Sequence, residues 1–230
     1  AGEPLSGEVN KEIYNLTGLY IHEGFGQSEG TPITCSFQWL AVRPSSMGKP
    51  SPLYDVHIIR PDKTDCGVDE TGEVVIFVKD KHGQLGLLDY YQFDGEKVYP
   101  VVDGIYHTGD TAYRDKDGYF WYVGRVDDMI KCSGYRIGPF EIESVLNTHP
   151  AVKESAIVGA PDQIRGQIVC AVIALRPGYE PSEKLTKELQ SYVKKNTAPY
   201  KYPRKIVYVK ELPKTTTGKI VRNEAKKLVV

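Results

Sequence analysis

The spacing of apolar residues changes along this chain, and each change predicts an element. In "LSGEVNKEIYNLTG" the residues Val9, Ile13 and Leu16 recur at helical spacing behind Ser6, a natural N-cap, so the stretch predicts a short helix. "LYIHEGF" predicts a strand that runs into the glycine-bearing loop "GFGQSEG". From Pro44 to Gly124 the pattern becomes one of short alternating runs, "YDVHIIR", "EVVIFV" and "YFWYVG", separated by Pro, Gly and Asp clusters. That is the signature of a small β subdomain, with "AYRDKDGYFWYVG" as a hairpin turning at Lys116, Asp117 and Gly118.

Beyond Arg125 the period lengthens again. "GPFEIESVLNTHP" predicts a helix with Pro139 near its first position and Phe140, Val145, Leu146 and His149 toward one side. "KESAIVGA" and "QIVCAVIALR" predict strands. "PSEKLTKELQSYVKKN" predicts an amphipathic helix capped by Ser182 that buries Leu185, Leu189, Tyr192 and Val193, and "RKIVYVK" predicts a third strand. The order helix, strand, strand, helix, strand makes a compact α+β domain, with the seam near "GRVDD", Gly124 to Asp128.

Composition adds boundaries. With 230 residues, the chain has room for one large domain or two modest ones, and 40% hydrophobic with 26% charged residues is the balance of a globular protein. A net charge of −1 gives no electrostatic argument for nucleic acid or for a membrane surface. The lysines from Lys184 to Lys227 read as a solvated basic face that leaves room for a small anionic ligand. Cys35, Cys66, Cys132 and Cys170 form no C-x-x-C pair, which suits a reducing compartment such as the cytoplasm. The five histidines show no H-x-x-x-H spacing, so a zinc site is not expected, and "RDKDGYF" lacks the acidic ladder of a calcium loop. No apolar run reaches the roughly 18 residues of a membrane helix. The opening "AGEPLSGEVN" reads as the middle of something longer.

Near the end stands "LPKTTTGKIVR", in which Gly218 and Lys219 suggest a phosphate loop. A Walker loop would need glycine where Pro213 stands, and Ser or Thr where Ile220 follows the lysine. It is therefore a different use of a lysine. Four further segments matter for their order: "AGEP" at Ala1 to Pro4, "GFGQSEG" at Gly24 to Gly30, "YHTGD" at Tyr106 to Asp110, and "GRVDDMIKCSGYRIGPFEIE" at Gly124 to Glu143. Taken with "PKTTTGKI", this arrangement resembles the adenylate-forming (AMP-binding) superfamily of acyl-CoA synthetases, luciferases and peptide-synthetase adenylation domains, over essentially the whole chain. The tail looks most like the medium-chain and aryl acid CoA ligases, ahead of luciferase-like oxidation or transfer to a carrier protein.

The resemblance implies an α/β and α+β architecture. Residues 1–126 would be the end of a large AMP-binding domain with a β subdomain at about 44–124, and residues 127–230 a mobile C-terminal domain. It implies ATP, Mg2+ and coenzyme A as cofactors or substrates, a small carboxylic acid as the other substrate, and release of AMP and pyrophosphate. By the same resemblance Lys219 would bridge the carboxylate and the α-phosphate, Arg136 would meet ATP phosphates, and Glu29 would help hold magnesium. Gly2, Glu3, Pro4 and Phe25 would lie at the adenine, Ser28 at phosphate, and Asp110 and Arg125 at the ribose. Asp127 would be the hinge between two half-reactions, and Gly134 would leave room for the pantetheine arm of coenzyme A. Asp89 departs from the glycine common before the tyrosine in this family. The family's Ser/Thr/Gly-rich triphosphate loop precedes "AGEP", so this stretch alone is expected not to adenylate efficiently. A noncatalytic nucleotide- or CoA-binding module and one half of a split enzyme are the alternatives.

Overall fold

The computed structural model describes residues 5–78, 90–91, 97–98 and 101–229. The chain divides into two compact units, Ala1–Val126 and Asp127–Val230. Gly2, Glu3, Pro4 and Asp89 lie outside the described residues.

The first unit opens with helix α1, Gly7–Thr17, whose N-terminus is capped by the Ser6 hydroxyl accepting from the Val9 amide at 3.3 Å. The face expected to be buried is not: Leu16 is 75% exposed, Val9 is exposed as well, and the buried residue is Asn10. The Asn10 amide donates to the Ile21 carbonyl and accepts from the Ile21 N–H, both at 3.1 Å. This clamp takes up both backbone groups of Ile21, so the strand expected from Leu19 onward begins at Gly24 instead.

Strands β1 (Gly24–Gln27), β2 (Gly30–Cys35), β3 (Ser46–Pro50), β4 (Asp55–Ile59) and β5 (Gly72–Phe77) come next. The short pair β6 (Tyr90–Tyr91) and β7 (Lys97–Val98) precedes β8 (Val101–Val102), β9 (Ile105–Arg114) and β10 (Phe120–Arg125). One sheet runs in the order β1-β2-β3-β10-β9-β5-β4, with β8 paired to β9, and its pairings are antiparallel. Because β2 pairs β3 through Thr34 and Pro50, the sheet starts at Gly24, ahead of the change of sequence character at Pro44. Val74, Val75 and Ile76 are all fully buried, Val74 against Met47 and Phe120, Ile76 against Ile33 and Tyr54, Val75 against Ile59 and Ile105. Both faces of β5 are covered, which explains an unbroken apolar run in an antiparallel sheet. The β9–β10 hairpin turns where expected. Gly118 takes φ +82°, and the Asp115 carboxylate accepts from the amides of Asp117 and Tyr119, the Trp121 indole and Arg43.

The second unit contains β11 (Ile130–Cys132), β12 (Tyr135–Ile137), α2 (Pro139–Asn147), β13 (Val152–Asp162), β14 (Gly166–Leu175), α3 (Glu183–Asn196), a 3-10 turn at Pro199–Lys201, β15 (Lys205–Val209) and α4 (Arg222–Lys227). Its sheet runs β12-β11-β14-β13, with β15 parallel to β14. A parallel pair needs a crossover, and α3 supplies it. Alternation along β13 and β14 sends Ile157, Ala171 and Ile173 toward Ile142, Leu146, Leu189 and Val193, and sends Ala156, Val158, Cys170 and Val172 toward Leu212, Ala225 and Val229. Helices thus cover both faces. Ser182 caps α3 as expected, accepting from Leu185 at 3.1 Å, while Tyr192 is only half-buried and meets the Thr148 hydroxyl. On α2 the buried residues are Pro139, Ile142, Glu143 and Leu146; Phe140 and Val145 are half-buried, because Ile142 takes the central inward position. Among the described residues no helix is long and apolar enough to cross a membrane.

Candidate functional site

The "HTGD" segment is a bulge inside β9. Glu73 pairs with Thr111 and Val75 with His107, so the single residue Val74 stands opposite Thr108, Gly109 and Asp110. The extra residues are stitched down: the Thr108 hydroxyl donates to the Val74 carbonyl at 2.7 Å and accepts from the Asp110 amide at 3.0 Å. A bulge of this kind re-aims side chains that a flat ladder would send along the pleat. Here it aims Asp110.

Asp110 is 5% exposed as a residue, and its carboxylate is firmly held. One oxygen accepts from the Gln27 amide at 2.6 Å, the other from the Tyr122 phenol at 3.2 Å. Gln27 in turn donates to the Thr108 carbonyl at 2.7 Å and accepts from the Tyr106 phenol at 2.6 Å. Arg125 is paired in register with Asp110 across β9 and β10, and its guanidinium lies 3.5 Å from the carboxylate and 3.2 Å from the Thr108 carbonyl. A second bulge, between Tyr122 and Gly124, sets the angle at which Arg125 leaves its strand. Gly109 makes the approach possible, since a Cβ there would sit 2.8 Å from the guanidinium and its φ is +68°.

Ser28 and Glu29 form the turn joining β1 to β2, with Ser28 exposed and Glu29 half-buried. Burial, then the negative charges of Glu29 and Asp110, push the Tyr106 phenol up to about 12, and Arg125 offsets part of this. Phe25 on β1 packs beside the clusters of Phe120 and Tyr54. Of the candidates in the first unit, the structure therefore gathers Phe25, Glu29, Asp110 and Arg125 around Gln27 and Tyr106, with Ser28 at the rim. Sequence reasoning missed Gln27, Tyr106 and Tyr122. Their signal was positional, since Gln27 and Tyr106 lie inside or beside segments already singled out.

In the second unit the candidates stand on separate turns. Asp127 is exposed in the 126–128 turn. Ser133 and Gly134, at φ +48° and +84°, close the β11–β12 hairpin, and nothing lies within 4 Å of where a Gly134 Cβ would be. Arg136 is exposed directly opposite Lys131 in that hairpin. Lys219 is exposed near the tip of a small hairpin, in which Thr215 and Lys219 share a backbone bond of 2.8 Å and Val221 bonds Pro213 at 2.8 Å. Its ammonium makes no hydrogen bond or ion pair among the described residues. Among the described residues no group of three or more His, Cys, Asp or Glu side chains is placed to hold a metal ion by itself.

Comparison with known proteins places this geometry. A model of the AMP-binding enzyme family matches residues 1–79, and a model of the AMP-binding enzyme C-terminal domain matches residues 141–219. The chain belongs to the AMP-binding enzymes. Human mitochondrial acyl-coenzyme A synthetase ACSM3 is 48% identical over 99% of the chain, and 4-hydroxybutyrate–CoA ligase 1 of Metallosphaera sedula is 44% identical over 99%. Among solved structures, the anthranilate CoA ligase AuaEII in complex with anthranoyl-AMP superimposes with a TM-score of 0.85 at 33% identity, over 99% of this chain and 43% of that one. The chain spans 39% and 40% of the length of the two curated relatives. These relatives are named as an acyl-coenzyme A synthetase and a CoA ligase, and the likeness to each runs over 99% of this chain.

Proposed function

We propose that the protein carrying this sequence is an AMP-forming acid–thiol ligase, which adenylates a carboxylic acid with ATP and transfers the acyl group to coenzyme A. The observation that carries this reading is the Asp110 carboxylate, fixed by Gln27 and Tyr122 beside Arg125. A carboxylate held rigidly in this way is suited to accept hydrogen bonds from ribose hydroxyls, and a neighbouring guanidinium is suited to the phosphate side of the same nucleotide. Phe25 would offer its ring to the adenine together with Gly2, Glu3 and Pro4, and the Ser28 hydroxyl would serve phosphate. Residues 1–126 would then end the large nucleotide-binding domain, and residues 127–230 would form the mobile one, turning at Asp127.

The residues fit a magnesium ion carried by the nucleotide. Glu29 offers a carboxylate on a turn, beside a hydroxyl and within electrostatic reach of Tyr106, which is the hard oxygen donor that Mg2+ prefers. Among the described residues no group of three or more His, Cys, Asp or Glu side chains is gathered there, so most of the ion's positions would belong to phosphates and water. When bound, the ion would neutralise phosphate charge.

In the second unit Lys131 and Arg136 stand directly opposite each other, an arrangement that costs stability unless an anion faces it. That supports Arg136 as a phosphate contact. Lys219 is a compact, mobile cation suited to neutralise charge that develops between a carboxylate and the α-phosphate. Gly134, with open space around it, would leave a path for the pantetheine arm. All four cysteines are free thiols, in keeping with the proposed reducing compartment, and burial raises Cys35, Cys66 and Cys170 above the ordinary thiol range.

The test is carboxylate-dependent exchange of pyrophosphate into ATP by the full-length protein, run across medium-chain and aryl acids, followed by CoA-dependent release of AMP. Exchange and release are expected with at least one acid. Nucleotide binding without exchange for any acid would replace this reading with a noncatalytic nucleotide-binding module.

A further inference from the structure

Arg222 opens α4, three residues beyond Lys219, and it joins three segments remote in sequence. Its Nε donates to Asp128 at 3.1 Å and its Nη2 to Glu143 at 3.2 Å. Its Nη1 donates to the other Glu143 oxygen and to the Ile157 carbonyl, the latter at 2.7 Å. That Glu143 oxygen also accepts from the Ile157 amide at 2.7 Å. Helix α2 and strand β13 thus form a fixed seat, and the guanidinium ties to it both the turn at Asp128 and the base of the lysine hairpin.

The charges around this tie are unequal. Two carboxylates, Asp128 and Glu143, face one guanidinium, and Asp127 adds a third negative charge nearby. Burial holds the Asp128 carboxyl above its ordinary range, while Arg222 pulls it back and Asp127 adds to the rise. A planar fork reaching a carboxylate, a second carboxylate and a carbonyl at once is a task for arginine that lysine cannot reproduce. A cavity of about 30 Å³ bordered by Asp127, Gly159, Arg222 and Lys226 adjoins the turn, so the turn is not packed solid on that side.

We propose that Arg222 is a positioning residue for Lys219. It fastens the hairpin to Asp128, next to the hinge proposed above, so that a torsional change at Asp127 reaches the lysine as a rigid-body movement instead of being lost in flexing of the hairpin. The inference rests on the proposed roles of Lys219 and Asp127. The base of the hairpin is also held to β13 by an ion pair between Lys214 and Glu154 and by Ile220 packed on the core, while its tip from Thr215 to Lys219 is exposed.

The experiment is a double-mutant cycle in the full-length protein with Arg222→Gln and Lys219→Ala, both half-reactions being measured separately. Arg222→Gln is expected to slow pyrophosphate exchange by about 10²-fold with an unchanged KM for ATP, as a displaced catalytic group does. Its effect on CoA-dependent turnover of supplied acyl-adenylate is expected to stay within about threefold, and the double variant should be no slower than Lys219→Ala alone. Amide exchange read by NMR on the 230-residue chain should quicken at Thr215, Gly218 and Val221 and stay constant at Ala171 and Ile173. Additive losses, equal losses in both half-reactions, or unchanged hairpin exchange would each overturn the inference. Should Arg222→Gln fail to fold, Arg222→Lys keeps the charge without the fork, and the same expectations apply to it. If Lys219→Ala leaves exchange of pyrophosphate intact, the functional reading fails instead, and the amide exchange still decides whether Arg222 holds the hairpin.

Discussion

Asp110 and Lys219 carry opposite charges and are held in opposite ways. Asp110 sits in a bulge, almost wholly buried, with Gln27 and Tyr122 on its two oxygens and Arg125 alongside. Lys219 stands exposed behind Gly218, whose φ of +89° lets the hairpin turn, and its ammonium has no described partner. On the function proposed above, the contrast separates two ways of making a functional charge. A group that must present one geometry is over-determined by neighbours whose own positions are bonded in turn. A group needed in one conformation and absent in another is left on a loop with its base anchored and its tip unconstrained.

The largest expected effect comes from the mobile side. Lys219→Ala in the full-length protein should slow pyrophosphate exchange by about 10²–10³-fold, the cost of removing one developing-charge contact. Conversion of supplied acyl-adenylate by coenzyme A should change by less than about threefold. Equal loss in both steps, measured by rapid quench, would show that Lys219 is not specific to one conformation.

Asp110→Asn tests the fixed side. The substitution keeps the shape but sets an amide against the Gln27 donor, so it should weaken ATP binding by about 1.5–3 kcal/mol, the range for hydrogen bonds to charged groups. Titration calorimetry of the nucleotide reads this directly. Affinity unchanged by the substitution would mean that the rigid carboxylate serves the sheet and not a ligand.

A smaller effect compares Asp110 with a carboxylate that is equally well held but purely architectural. Asp115 accepts from two amides, an indole and Arg43 at the β9–β10 turn. Burial raises its carboxyl, but the bonds from Tyr119, Trp121 and Asp117 and the charge of Arg43 outweigh this and leave it below 3.8. A lowered folded-state value means that the unfolded chain binds the proton first. Its stabilisation is therefore present above pH 3.8 and is lost as pH falls through the folded value. Asp115→Ala should lower stability by about 1–2 kcal/mol at neutral pH without altering nucleotide affinity, and the difference from wild type should shrink in acid. Urea titrations at neutral and acid pH check both statements. A loss of nucleotide affinity would show that the two carboxylates are not separable.

How far each region was legible follows from how local its causes are. Ser6, Ser182, Pro139 and Gly118 act within one or two turns of chain, and the helix starts and hairpin they predict are present. The failures share a long-range cause. Leu16 and Val9 have helical spacing, but spacing says nothing about whether a partner surface exists, and the structure attaches α1 through Asn10 and Ile21 instead. "LYIHEGF" has strand propensity, and a side chain eleven positions earlier took its hydrogen bonds.

The candidate site divides along the same line. The residues of the proposed site are written in short contiguous motifs, because a bulge, a tight turn or a hairpin tip needs particular residues at adjacent positions. Asp110, Arg125, Gly134 and Lys219 could therefore be named from the sequence alone. What only the tertiary structure decided is what surrounds them. Gln27 reaches Asp110 across 83 positions, and Arg222 reaches Asp128 across 94 and Glu143 across 79. Such partners are chosen by strand register and helix packing, which depend on the whole fold, and no local pattern of residues encodes them.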